Sequence, residues 1–101
     1  MNIVTFFEMD ESLFDSNHKV EHFHSGASGE ADIAIINIDT IFEFEENKAN
    51  ACKKKFVSIA VIDDESDYDA FKNFGIDAWI KGADIHKINN IINLVEKKLL
   101  S

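Results

Sequence analysis

An open, parallel α/β sheet is the fold class this sequence predicts, and three observations predict it. The first is the stretch at residues 31–39, ADIAIINID. Its apolar run of Ile33, Ala34, Ile35, Ile36 and Ile38 is too short for a stable lone helix. It is rich in β-branched isoleucine, so it reads as a strand buried on both faces. The second is a similar run at residues 56–62, FVSIAVI. The third is the alternation of strand-like and helix-like periods through the second half of the chain, the pattern of strands joined by crossover helices.

Taken in order, residues 2–7 (NIVTFF) are β-branched and aromatic and predict a first strand, ending in the acidic cluster Glu8, Asp10 and Glu11. Residues 12–17 have room for a helical turn or two. Residues 19–25 (KVEHFHS) predict a short edge strand of ambiguous register, because Val20 and Phe23 cannot share a two-residue face. Residues 26–30 (GASGE) are loop by composition. After the strand at 31–39, residues 40–55 predict a helix with Phe44, Ala51 and Cys52 on one side and Glu45, Glu46 and Lys48 on the other. Thr40 is its candidate cap, and the lysines at its end suit the helix dipole. Asp63, Asp64 and Ser66 offer caps for a helix over 67–74, whose apolar face is Ala70, Phe71 and Phe74, and Gly75 ends it. Residues 76–81 (IDAWIK) predict a fifth strand. Asp84 caps the last helix, where Ile85, Ile88, Ile92, Val95 and Leu99 form a seam that Ile91 widens.

With 101 residues the chain reads as one domain, residues 1–101, with room for one core and few insertions. A net charge of −9, without a single arginine, argues against a nucleic-acid surface. Lys53, Lys54 and Lys55 read as a solvated helix end. The single Cys52 can form no internal disulfide, which fits a reducing compartment, and it reads as a small apolar filler. No run approaches 18 apolar residues, and Glu8, Asp10 and Glu11 come too early for a signal peptide. A cytoplasmic protein with no membrane insertion is the expectation.

The polar positions that could carry chemistry cluster at predicted strand ends. Asn37 and Asp39 are two apart, so they share a face where the central strand stops, and the carboxyl ends of such strands are where ligands sit. His22 and His24 put two imidazoles on one predicted strand face, with His18 nearby. Without a third ligand of clear spacing they read as exposed edge-strand histidines. Asp63, Asp64, Glu65, Asp67 and Asp69 suggest a calcium loop, but no glycine holds the sixth place and Phe74 fills the twelfth, so helix capping is preferred.

ADIAIIN at 31–37, GIDAWIKGADIHKI at 75–88 and the Phe7-Glu8 pair resemble the receiver domain of bacterial response regulators. The resemblance covers most of residues 31–101. It implies a flavodoxin-like five-stranded parallel sheet in the order 2-1-3-4-5, a phosphoacceptor pocket at the strand ends, and a partner-binding surface on the fourth helix, fifth strand and last helix. In this chain that pocket corresponds to Glu8, Asp10, Asn37, Asp39, Asp63 and Lys81, and the surface to Tyr68, Lys72, Trp79, His86 and Asn90. The departures decide the reading. Asn37 stands at the phosphoacceptor position, and an amide cannot form an acyl phosphate. Phe7 replaces one acid, which leaves a poor Mg²⁺ site. Asp63 stands where a hydroxyl residue is expected, Trp79 where a switching tyrosine or phenylalanine is usual, and Gly82 replaces the proline after Lys81. Only 29 residues separate Glu8 from Asn37, too few for two crossover helices and a strand, so one early helix is expected to be lost, at residues 26–30. The favoured reading of Asn37 with Lys81 is a neutral hydrogen-bonding pair.

These features lead to a pseudo-receiver with no cofactor, no metal and no enzymatic activity, acting by contact with another protein of a signalling system. A homodimer through the last helix and fifth strand is a second mode, and Trp79 is either the anchor of that surface or a core residue. The alternative is a phosphoacceptor working through Asp39 with Glu8, Asp10 and Mg²⁺, although Asp39 lies roughly 7 Å along the strand from the pocket. A flavodoxin-like cofactor binder is a third class, but no Gly/Ser/Thr-rich phosphate loop follows the first strand.

Overall fold

The computed structural model describes residues 1–26 and 28–100. Five strands, β1 (Asn2–Thr5), β2 (Lys19–His22), β3 (Ala31–Ile36), β4 (Cys52–Ile62) and β5 (Ala78–Lys81), form one sheet in the order β2-β1-β3-β4-β5. Every neighbouring pair is parallel, so the sheet is flavodoxin-like. The helices are α1 (Ile41–Ala51), α2 (Ser66–Phe71) and α3 (Ile88–Val95), the last entered through a 3-10 segment at Gly82–Lys87 and continued as a π-helix over Glu96–Leu100. Among the described residues no helix is long and apolar enough to cross a membrane.

The shortening expected of one early crossover extends to both. The β1–β2 connection contains a single 3-10 turn, Glu11–Leu13, and the β2–β3 connection another, Phe23–Ser25. Ala27, in the loop expected at 26–30, lies outside the described residues. These two connections step in opposite directions across the sheet, so they cover opposite faces. Each brings one phenylalanine inward: Phe14, directly after the first turn, joins the core beneath α3, and Phe23 joins the core beneath α1 and α2. That placement resolves the register of residues 19–25. Val20 and Phe23 serve different faces because three residues separate them.

The first core holds Val4, Phe6, Ala34, Ile36, Ile41, Phe44, Ile62 and Phe71, and the second holds Ile3, Ile33, Ile35, Ile59, Ile80, Ile88, Ile92 and Val95. Neighbours in β3 therefore alternate between the cores, as a strand buried on both faces must.

Several boundaries differ from the sequence expectation. The central strand stops at Ile36, since Ile38–Thr40 form a 3-10 turn that Asn37 caps. α1 ends at Ala51 rather than residue 55. Cys52 is already extended and pairs with Ala31, so Lys53, Lys54 and Lys55 belong to β4 and not to a helix end. Between the pairs Ala31–Cys52 and Ile33–Val57 the register slips: Asp32 alone faces Lys53, Lys54, Lys55 and Phe56. This three-residue bulge is closed by Lys53 Nζ, 2.9 Å from Asp32 Oδ1. Asp84 does not cap the last helix. It lies in the 3-10 segment, and α3 begins only at Ile88. Ala70 is exposed, and Leu99 is 44% exposed, so neither belongs to an apolar seam.

Candidate functional site

Three strand ends and the 3-10 segment after β5 meet in a cleft of about 290 Å³ at the carboxyl edge of the sheet. Phe7, Glu8, Met9 and Asp10 follow β1, Asn37 follows β3, Val61 and Asp63 close β4, and Gly82 and Ile85 follow β5. The fold thus brings together Glu8, Asp10, Asn37 and Asp63. It does not bring Asp39 or Lys81 to the cleft. Asp39 is exposed on the 3-10 turn, and Lys81 lines the adjoining surface, between the groove toward α3 and a hollow it shares with Asp63, Asp64 and Glu65.

Asn37 is occupied. Its backbone N–H donates to Thr40 Oγ1 at 3.1 Å, and the Thr40 hydroxyl donates to Asn37 Oδ1 at 2.9 Å, a reciprocal cap that starts the turn into α1. The expected Asn37–Lys81 pair is not formed. Its place is taken by a neutral pair three residues apart, because the backbone turns immediately after Asn37. Thr40 consequently caps the turn before α1 instead of α1 itself.

The carboxylates around Asn37 differ in their commitments. Asp10 Oδ1 accepts from the Ser12 backbone N–H at 2.9 Å, and that bond, with the Ser12 hydroxyl, holds its carboxyl below the usual range. Glu8 is exposed and has no partner among the described residues. Asp63 lies so close to residue 82 that a Cβ there would collide with its Oδ1. Gly82, a departure from the receiver pattern, leaves the space that the exposed Asp63 carboxylate occupies. Among the described residues no three His, Cys, Asp or Glu side chains converge as a metal site.

On the other side of Phe7 and Glu8 an open cleft of about 590 Å³ is lined by His22, His24, Ser25 and Thr40. The two imidazoles do not share a strand face. β2 ends at His22, and His24 rides on the following turn with its Nε2 2.6 Å from Glu43 Oε1. The rings still stand 5.6 Å apart, and His22 Nδ1 is buried without a partner. His18 lies elsewhere, its Nδ1 3.2 Å from the Met1 amino nitrogen.

A groove of about 440 Å³ separates α2, β5 and α3. Tyr68, Trp79 and Asn90 line it as the sequence predicts, whereas Lys72 and His86 do not. Lys72 faces Asp69 at 3.9 Å on the exposed side of α2, and His86 is exposed on the 3-10 segment. Trp79 is half-buried, edge-on to Phe71 at 5.6 Å and tilted against Tyr68 at 5.3 Å. It therefore serves the core with one part of its ring and the groove with another. Lys81, Asp84, Lys87 and Ile91 complete the lining. Lys87, Asn90 and Ile91 were legible as a helical i, i+3, i+4 set, but only once the direction of that face was known. Compared with protein-family models, with curated proteins and with solved structures, the chain gives no match in any of the three.

Proposed function

We propose that this chain is a degenerate receiver-like domain that signals by protein contact through the groove between α2, β5 and α3, without phosphorylation. The observation that carries this reading is Asn37. It supplies an amide where a nucleophilic carboxylate would be needed, and the Oδ1 of that amide accepts from the Thr40 hydroxyl while the Asn37 backbone N–H donates to the same hydroxyl oxygen. Phe7 in place of an acid, an exposed Asp39 off the cleft and Lys81 turned to the neighbouring surface support the same conclusion. The groove supports the other half. It joins an aromatic floor of Tyr68 and Trp79 to a rim carrying Lys81 and Lys87, the chemistry that suits a partner segment of apolar and acidic side chains. The domain works in the cytoplasm as part of a signalling system, with a homodimer through the same face as its second mode.

Beryllofluoride with Mg²⁺ tests the first half. The amide spectrum should remain unchanged, and shifts centred on Asp39 and Lys81 would sink the proposal in favour of a working phosphoacceptor. Mg²⁺ alone should bind at millimolar strength or weaker, and Asn37→Asp should tighten it by adding a carboxylate to Glu8, Asp10 and Asp63 in the cleft. Lys87→Glu and Asn90→Ala test the second half. Both positions are surface-exposed, so loss of partner binding with unchanged melting is the expected result.

A further inference from the structure

In this sheet every strand starts at one end of the molecule and every strand finishes at the other, and the lysines gather toward the first of these ends, where they outnumber Glu30, Asp32, Asp77 and Glu96. Lys19, Lys53, Lys54 and Lys55 stand at strand starts, and Lys48 near the end of α1. Lys97 and Lys98 follow α3, where the π-helical segment packs on β4. Seven of the ten lysines thus gather at the amino end of a chain whose net charge is −9. The carboxyl end carries the reverse charge: Asp63, Asp64 and Glu65 directly follow β4, and Asp67 and Asp69 continue the series on α2.

The register slip in β4 shapes the basic end. A regular strand turns alternate residues inward, so three consecutive lysines could not all face water. The bulge removes that constraint, and Lys53, Lys54 and Lys55 are all exposed. Lys53 is paired with Asp32, while Lys54 and Lys55 have no partner among the described residues. Beside them opens a cleft of about 410 Å³ with an apolar floor of Ala49, Cys52 and Phe56. The fold gains nothing from two unpaired lysines beside an apolar hollow.

We infer that this basic end receives the acidic end of a second copy, so that the chain associates head to tail along the strand axis. The occupant is present in the molecule itself. The stretch from Asp63 to Asp69 presents carboxylates around the exposed ring of Tyr68, a match for lysines around an apolar floor. The net charge favours this orientation: two copies at −9 repel in most approaches, and acidic end against basic end sets opposite charges together. Since the two surfaces lie at opposite ends of one strand, the contact is heterologous and leaves a free end of each kind after every addition. It goes beyond the groove on α2, β5 and α3, with which it shares Tyr68, and uses neither of that groove's lysines.

Sedimentation velocity of the intact chain tests this. Concentration-dependent association should appear at about 0.1 M ionic strength, where charges act over about 10 Å and the facing ends outweigh the net charge of the two copies, and vanish near about 1 M, where they act over about 3 Å. Lys54→Gln with Lys55→Gln blocks the basic end, and Glu65→Gln with Asp69→Asn blocks the acidic end, each by neutralising charge so that the two altered ends do not attract one another. These positions are exposed, and both variants should melt as wild type does, which thermal denaturation checks. Each variant alone should associate about tenfold or more weakly than wild type. Mixed together they should form a 1:1 dimer that grows no further, because each contributes one intact end. A monomer at about 0.1 M ionic strength, undiminished association of either variant, or a mixture that stays monomeric would each overturn the proposal. Binding of an acidic peptide at Lys54 and Lys55 in a chain that never self-associates would overturn it in favour of a foreign partner.

Discussion

On one face of the sheet Phe6, Phe44 and Phe71 are wholly buried, and Phe23, Phe56, Phe74 and Trp79 close around them. The opposite face is built from isoleucine and valine, and Phe14 is its one buried aromatic. The difference follows what covers each face. α3 lies along its face with a continuous seam of Ile88, Ile92 and Val95, and branched aliphatic side chains fill the narrow gap beneath one helix. The other face is roofed by α1, by the six-residue α2 and by the turn at Phe23–Ser25. Separate short pieces leave wider gaps, which large rings fill. Phe23 stacks on Phe6 at 4.6 Å, and Phe44 meets Phe6 edge-on at 5.5 Å. Phe14 and Phe23 each stand where a crossover helix would otherwise cover the sheet. A missing helix is replaced here by a single ring on a short turn.

The largest effect should come from the centre of the aromatic face. Phe6→Ala removes a ring with two aromatic neighbours and should cost about 3–5 kcal/mol in denaturant unfolding. A loss below about 1 kcal/mol would mean that the rings are loosely held. The two replacement rings should then rank by burial. Phe14, only 7% exposed, should cost about 3 kcal/mol as Phe14→Ala, and the half-buried Phe23 about half as much. The reverse order would show that the stacked pair, rather than burial, secures the first face.

Gly29 gives a smaller test of the same short crossover. Its φ is +81°, and a Cβ there would meet the Asn50 carbonyl oxygen at 2.8 Å, so Gly29→Ala should cost about 1–2 kcal/mol by thermal melting. The smallest effect concerns Asp32 at the bulge. Burial pushes its carboxyl upward, but the Asn2 N–H at 2.9 Å and Lys53 hold it on balance below its ordinary value. A depressed carboxyl stabilises the fold above its unfolded pKa, and that contribution is lost as pH falls through the folded value. Asp32→Asn should therefore cost under about 1 kcal/mol at pH 7 and nothing in acid where both states are protonated. A penalty that persists in acid would assign the effect to packing.

What the sequence disclosed divides by the range of the interactions involved. β3 was legible because five apolar residues in six positions admit little else, and α3 because its seam repeats locally. Lys53, Lys54 and Lys55 were misread because their conformation depends on Cys52 pairing with Ala31, a contact 21 residues away. The same limit applied at the candidate site. The adjacency of Glu8, Asp10, Asn37 and Asp63 followed from strand ends and could be expected. The bond from Asn37 to Thr40, in place of Lys81, depended on the strand stopping three residues earlier than the span 31–39 implied.

The slip in β4 also bears on how the molecule breathes. Residues Val57 to Ile62 are bonded between two neighbouring strands, while Lys53 to Lys55 leave the ladder after a single rung at Cys52. A central strand is ordinarily the last part of a sheet to give up its amide protons. This one should instead show two behaviours: slow exchange from Val57 onward, governed by global unfolding, and fast exchange at Lys53 to Lys55, governed by local opening.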